Sequence, residues 1–251
     1  MIIRNNLWIN VITSIFIDNI DLTGLSEVII RGTDDIMVIL YGDINGSIVI
    51  NELKDKVSSI VLNDKVIYGN EYITINVSKY KYSIYPRSFF QVNTDMISKL
   101  YDKVLEYAGT SKTLTDLYCG AGTIGIYLAK NFDTVKGIEI NKAAIDSANL
   151  NKKINNINNI SFECKSANEI NNISSDVVVV DPPRSGLDKK TINTLLDSSS
   201  KKIVYVSCDP ITLARDLNIL KERYELKDIT LFDMFPNTRH IETVCNLDRK
   251  N

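Results

Sequence analysis

The chain has no two cysteines spaced as a CxxC pair. Its four, Cys119, Cys164, Cys208 and Cys245, lie far apart. Neither a zinc site nor an iron–sulfur cluster has its usual local ligands, so no metal is expected. Free thiols are the base case in a reducing compartment. Long apolar stretches are missing too. Runs such as 177–180 and 203–206 are strand-sized, far below the roughly 20 residues a membrane span needs. The N-terminus lacks the basic flank, apolar stretch and small-residue cleavage site of a signal peptide, so a cytoplasmic location is expected. Positive charge is not in excess: the formal net charge is −2. That speaks against tight, sequence-independent polyanion binding, although a local basic patch suffices for RNA. Histidine occurs once, as His240. A packing or hydrogen-bonding role is the expectation for it, ahead of catalysis.

What is present is ordinary for a globular protein. Hydrophobic residues make up 44% and charged residues 24%, enough for a sizeable core. Two regions read differently. Residues 1–85 hold short β-branched runs: Glu27–Arg31, Ile36–Tyr41, Ser47–Ile50, Tyr72–Val77 and Tyr82–Tyr85. Turn residues separate them, and Asn51–Leu62 reads as a helix between strands. A small α+β domain is expected there. Residues 86–251 form the second domain. It opens with an amphipathic helix over Asp95–Ala108, then alternates. Strands are predicted at Thr113–Leu117, Val135–Glu139, Ile160–Cys164, Val177–Asp181 and Ile203–Ser207. Helices are predicted at Gly122–Asn131, Lys142–Lys153, Asp188–Leu196 and Pro210–Arg223. Leu226–Phe232 and Glu242–Leu247 add two closing strands. This order predicts an α/β fold, a doubly wound and mainly parallel Rossmann-like sheet.

Ligands of such sheets bind at the carboxyl ends of strands. Three segments fall there. Asp116-Leu-Tyr-Cys-Gly-Ala-Gly-Thr123 ends a strand and opens a helix, and its glycines permit a tight turn and close approach to a ligand. Glu139 closes the next strand, where a carboxylate accepts from both hydroxyls of a ribose. NAD and S-adenosylmethionine both satisfy these two features. The absence of G-x-G-x-x-G leans towards S-adenosylmethionine, whose cationic amino-acid end Asp116 would meet. Asp181-Pro-Pro-Arg184 follows an apolar strand, and its prolines stiffen the chain after Asp181. A D-P-P motif also suits enzymes that methylate exocyclic amines, so it leaves the target atom open. Ser207-Cys208-Asp209-Pro210 ends the next strand. Pro210 suits the first helical position, and a helix N-terminus lowers the pKa of a nearby thiol, which makes Cys208 a candidate nucleophile. Glu242 opens the last apolar strand, where a carboxylate needs a partner or a job.

Together these segments resemble the RNA uracil-5-methyltransferase family, whose members make 5-methyluridine in ribosomal or transfer RNA. The matching motifs are Ser88-Phe-Phe-Gln-Val-Asn93, Asp116–Thr123, Gly137-Ile-Glu139, Asp181-Pro-Pro-Arg-Ser-Gly186, Val206-Ser-Cys-Asp-Pro210 and Asp233-Met-Phe-Pro-Asn-Thr-Arg-His-Ile-Glu242. They occur in the family's order over residues 86–247. The resemblance implies S-adenosylmethionine as cofactor, contacted by Gln91, Tyr118, Thr123, Glu139 and Asp181. It implies Cys208 as nucleophile, Glu242 as base and RNA as substrate. The underlying chemistry is consistent. A thiolate adding to carbon 6 of uracil makes carbon 5 nucleophilic, and a base later removes the proton from carbon 5. Arg184 is expected to neutralise a nearby phosphate. The wording Val206-Ser-Cys and Asp233-Met-Phe-Pro favours ribosomal over transfer RNA.

Two departures accompany the resemblance. Family members commonly carry an N-terminal RNA-binding barrel, and many a four-cysteine iron–sulfur cluster; this chain is expected to begin after both. Asp209 stands where the motif usually has Asn. Three other readings compete. A methyltransferase for small molecules or exocyclic amines would need no Cys208. A non-catalytic RNA-binding protein with a vestigial pocket would not bind cofactor. A dehydrogenase using NAD leaves Cys208 and Glu242 without a role.

Overall fold

The computed structural model describes residues 12, 14, 23–88, 90, 91, 93–234, 237, 238 and 241–250. It divides into two compact units. The first takes the described residues up to Asn76 together with Lys81–Ser88; the second takes Val77–Tyr80 and the described residues of 89–251.

The first unit holds β1 (Leu25–Arg31), β2 (Met37–Gly42), α1 (Gly46–Leu53), β3 (Ser59–Leu62) and β4 (Lys65–Gly69). The four strands form one sheet in that order. β2 and β3 are parallel, and the two outer pairs are antiparallel. Two sequence expectations are corrected here. Ser47–Ile50 is not a strand but lies in α1, and the helix expected over Asn51–Leu62 is mostly β3 and the turn before it. The β-branched run is overridden by its flanks. Asn45 accepts from the Ser47 amide at 3.1 Å and caps the helix. Val49 and Leu53, one turn apart, then bury together. β4 was not foreseen, because its residues are mostly exposed and lack apolar alternation. The boundary also lies beyond Tyr85. The Arg31 guanidinium donates to the carbonyls of Tyr85 and Pro86, both at 2.9 Å, and of Ser88 at 2.7 Å. Those bonds keep residues 85–88 with the first unit. β5 (Ile73–Val77) and β6 (Tyr80–Ile84) form a two-stranded sheet.

The second unit follows as α2 (Thr94–Ala108), β7 (Ser111–Leu117), α3 (Thr123–Leu128), β8 (Phe132–Glu139), α4 (Lys142–Ile154), β9 (Ile160–Cys164), β10 (Val177–Val180), α5 (Lys189–Asp197), β11 (Lys202–Ser207), α6 (Pro210–Leu220), β12 (Tyr224–Phe232) and β13 (Glu242–Arg249). Its seven strands run β12-β13-β11-β10-β7-β8-β9. The five from β11 to β9 are parallel, and β13 and β12 add antiparallel at one edge. The expected doubly wound, mainly parallel sheet is present. Leu117, Val178, Val180 and Tyr205 line one face and pack with Ile192, Leu195, Leu213 and Leu220 of α5 and α6. α2 packs on β10 to β13 and buries Ile97, Leu100, Tyr101 and Val104, the spacing of one helical stripe.

After β7 the chain steps outward through β8 and β9, then returns to the other flank of β7 as β10. That reversal is a topological switch point, and it opens a crevice beyond the carboxyl ends of β7 and β10. The two ends are tied there: the Asp181 amide donates to the Leu117 carbonyl at 3.3 Å. Among the described residues, no helix is long and apolar enough to cross a membrane. No cluster of three or more His, Cys, Asp or Glu suited to a metal ion occurs among them.

Candidate active site

The loop after β7 is built on left-handed backbone. Tyr118, Gly120 and Gly122 have φ of 61°, 52° and 76°. At Gly122 a Cβ would fall 2.5 Å from Cζ of Phe162, and at Gly137 another would fall 2.5 Å from its Cδ1. The Phe162 ring is therefore packed into two gaps that only glycine leaves. At Gly120 a Cβ would meet nothing within 4 Å, so this glycine borders open space.

Asp116 is fully buried. Its Oδ2 accepts from the Gly125 amide at 2.9 Å and so fixes the start of α3. Its Oδ1 is buried without a partner. Burial, with Glu139 adding, pushes this carboxyl up to about 7. Glu139 accepts from the Gly120 amide at 3.2 Å and from the Asn141 amide at 2.8 Å; each oxygen keeps further acceptor capacity. Gln91 Oε1 is a second buried acceptor without a partner. Thr123 Oγ1 accepts from the Tyr101 hydroxyl at 2.8 Å. Tyr118 packs against the core under α5 and α6, with its hydroxyl near Thr191 and Asp188. The orphaned Asp116 acceptor near the amide-bound Glu139 carboxylate suits a ligand carrying an ammonium group and a ribose diol, as S-adenosylmethionine does.

The reactive groups stand at the next strand ends. Val179 pairs with Asp116 on one side and with Val204 on the other. Strand alternation then puts Asp116, Asp181 and Cys208 on one face of the sheet. On β13, Thr243 pairs with Ser207, so Glu242 is the residue opposite Cys208. Glu242 is 3% exposed. Burial pushes its carboxyl up to about 7, against a downward pull from Arg184. Asp181 is driven well above the usual carboxylate range by burial, then by Glu242 and Asp116. Cys208 is half-buried.

Its thiol corrects one expectation. The helix N-terminus was to favour the thiolate, yet the Cys208 pKa is raised. Burial comes first, then Glu242 and Asp181, with Arg184 opposing them. The start of α6 is moreover already occupied, since Asp209 accepts from the amides of Ile211 at 3.0 Å and Thr212 at 2.9 Å. Two carboxylates outweigh a helix end that carries its own carboxylate cap.

Sequence reading missed Tyr101. It is buried on α2, donates to Thr123 and lies within the electrostatic reach of Asp181, Asp116 and Glu242. On an apolar helical stripe it reads as core, and only its hydroxyl hinted otherwise. Arg184, expected at a phosphate, also bears by its charge on Cys208 and Glu242. His240 and Arg239 lie outside the described residues.

The sequence model of the tRNA (uracil-5-)-methyltransferase family matches residues 47–177 and 170–250. An RNA methyltransferase of uncharacterised specificity from Halalkalibacterium halodurans is 40% identical over 214 residues, covering 81% of this chain and 47% of that protein. One from Enterococcus faecalis is 42% identical over 212 residues, covering 80% and 46%. The chain thus spans about half the length of the curated relatives it matches. Among solved structures, the Pyrococcus abyssi tRNA (uracil-54, C5)-methyltransferase in complex with S-adenosyl-L-homocysteine aligns with a TM-score of 0.81 and 34% identity, over 89% of this chain and 60% of that one. The M. jannaschii tRNA m1G37 methyltransferase aligns with a TM-score of 0.63 and 14% identity, over 94% and 78%, a likeness of fold alone. The fold is that of the class I S-adenosylmethionine-dependent methyltransferases, and the chain belongs to the tRNA (uracil-5-)-methyltransferase family.

Proposed function

We propose that this chain is the catalytic part of an S-adenosylmethionine-dependent methyltransferase acting on carbon 5 of a uracil in RNA. The observation that carries the reading is the opposition of Cys208 and Glu242 at the ends of β11 and β13, beside the half-buried Asp181. Gln91, Asp116, Thr123, Glu139, Asp181 and Tyr118 would hold the cofactor, with Asp116 Oδ1 facing its ammonium group. When bound, the cofactor supplies an electrophilic methyl group on a sulfonium.

Cys208 would lose its proton to solvent and add as thiolate to carbon 6, forming the S–C6 bond and pushing an electron pair towards carbon 5. Carbon 5 would then take the methyl group, whose bond to the sulfonium breaks with its electron pair left on that sulfur. Glu242, as carboxylate, removes the remaining proton from carbon 5, and the electron pair of that C–H bond expels the Cys208 thiolate. A carboxyl held near 7 is ionised in a useful fraction at neutral pH while still basic enough for the task. Asp181, its carboxyl pushed upward by burial and then by Glu242 and Asp116, would hydrogen-bond the uracil.

Methyl transfer from labelled cofactor to total RNA, with mapping of the modified uridine, tests the reading. RNA containing 5-fluorouridine should form a covalent adduct that Cys208→Ala abolishes; no adduct with the parent protein would overturn it. The same mapping separates the RNA classes. The wording of the Val206-Ser-Cys and Asp233-Met-Phe-Pro motifs supports ribosomal RNA. The names of the family and of the Pyrococcus abyssi protein support transfer RNA.

A further inference from the structure

The loop carrying Asp181 and Arg184 is not held by its own prolines alone. Three side chains on one face of α6 bind its backbone. Thr212 Oγ1 donates to the Arg184 carbonyl at 3.0 Å. Arg215 Nη2 donates to the Ser185 carbonyl at 2.9 Å and the Leu187 carbonyl at 3.1 Å. Asp216 Oδ2 accepts from the Leu187 amide at 2.8 Å. Thr212, Arg215 and Asp216 are three and four residues apart, the spacing of a single helical stripe.

Asp216 is fully buried, and its carboxylate is saturated. Oδ2 also accepts from the Tyr205 hydroxyl at 2.7 Å, and Oδ1 accepts from Arg215 Nε at 2.8 Å. The loop is closely fitted to this cluster. Gly186 has φ +74°, and a Cβ there would fall 2.6 Å from both Arg215 Nη2 and Asp216 Oδ2. A buried carboxylate accepting charge-assisted bonds makes a stiff joint. The same helix begins two residues after Cys208, with Asp209 as its cap and Pro210 in its first turn. One rigid element therefore fixes both the nucleophile and the loop that faces it.

We infer that Thr212, Arg215 and Asp216 are positioning residues that clamp the Asp181–Leu187 loop to α6, setting Asp181 and Arg184 against Cys208. Their role for turnover rests on the methyltransferase reading above. Their role for the Cys208 environment does not. Arg184 is the cation that opposes Glu242 at the Cys208 thiol, so releasing the loop should leave Glu242, which stands on β13, less opposed.

Arg215→Gln is the main test, because Arg215 is itself exposed, and the loss of the cation paired with buried Asp216 is read separately in the melting temperature. The first measurement is the pH dependence of Cys208 alkylation by iodoacetamide, followed by mass spectrometry of the Cys208 peptide. It needs neither RNA nor cofactor. The profile should move to higher pH in Arg215→Gln and Thr212→Val, and return to the parent's in Thr212→Ser, which keeps the hydroxyl. The second measurement is steady-state methyl transfer: kcat should fall about tenfold in Arg215→Gln. Asp216→Asn should show the larger effect where it folds. If Arg215→Gln and Thr212→Val keep the parent's alkylation profile and kcat, whatever happens to their melting temperatures, the clamp is only structural and the inference falls. If the parent forms no adduct with 5-fluorouridine RNA, the methyltransferase reading falls, and the alkylation profile still decides the clamp.

Discussion

Glu242 stands opposite Cys208 across the β13–β11 ladder, one step beyond the pair Thr243–Ser207. Burial raises both groups, and each sits under the pull of Arg184. Base and nucleophile therefore resist ionising together, because two anions so close and so dry would repel.

Separating the two roles is possible. Cys208→Ala should abolish the adduct and methyl transfer while cofactor binding by calorimetry persists. Glu242→Gln should instead slow turnover by about 10²–10⁴-fold and let a methylated RNA–protein adduct accumulate on unmodified RNA. Denaturing gels with labelled cofactor distinguish them: label on the protein band in Glu242→Gln, none in Cys208→Ala.

Stability should depend on Glu242 ionisation. Its folded pKa, about 7, lies above the ordinary 4.5. The folded state binds this proton more tightly, so the stability it contributes is full below about 4.5 and is lost as pH rises through 7. Glu242→Gln should therefore gain on the parent between those values, by about 1–3 kcal/mol at pH 8, with no difference at pH 4. Urea unfolding at both pH values measures it.

Asp116 predicts a proton count. Its carboxyl is held up to about 7 and its Oδ1 lacks a partner. An ammonium group arriving there favours the ionised form, so cofactor binding below pH 7 should release protons. Calorimetry in buffers of different ionisation enthalpy should give a buffer-dependent heat. Asp116→Asn should remove that dependence.

Phe162 predicts a coupling. Gly122→Ala sets a Cβ 2.5 Å from its ring and at φ +76°, which should cost about 2–4 kcal/mol. Phe162→Leu beside it should recover part of that loss, seen as a favourable coupling in a double-mutant cycle of unfolding free energies.

The second unit was legible because its signals agree with one another. Apolar runs of four to six residues, Asp188 and Asp209 as caps, and Pro210 at a helix start all point to the same alternation. The first unit was less so. At Ser47–Ile50 the β-branched residues favoured a strand while Asn45 and the Val49–Leu53 pairing favoured a helix, and packing chose the helix. β4 carries no apolar pattern, and its pairing with β3 alone makes it a strand.

In the second unit the sequence by itself determined the order of the elements and which residues fall at strand ends, since periodicity and capping act locally. It also brought Cys208, Asp181 and Glu242 under suspicion, because polar groups closing apolar strands are costly unless used. Only the tertiary structure decided their protonation. Whether Cys208 is raised or lowered depends on which charges face it, and Glu242 and Asp181 arrive from other strands through the sheet register. The same holds for the three side chains of α6 that grip the Asp181 loop. Their partners lie about 30 residues away in sequence, and a local pattern carries no trace of a bond across that distance.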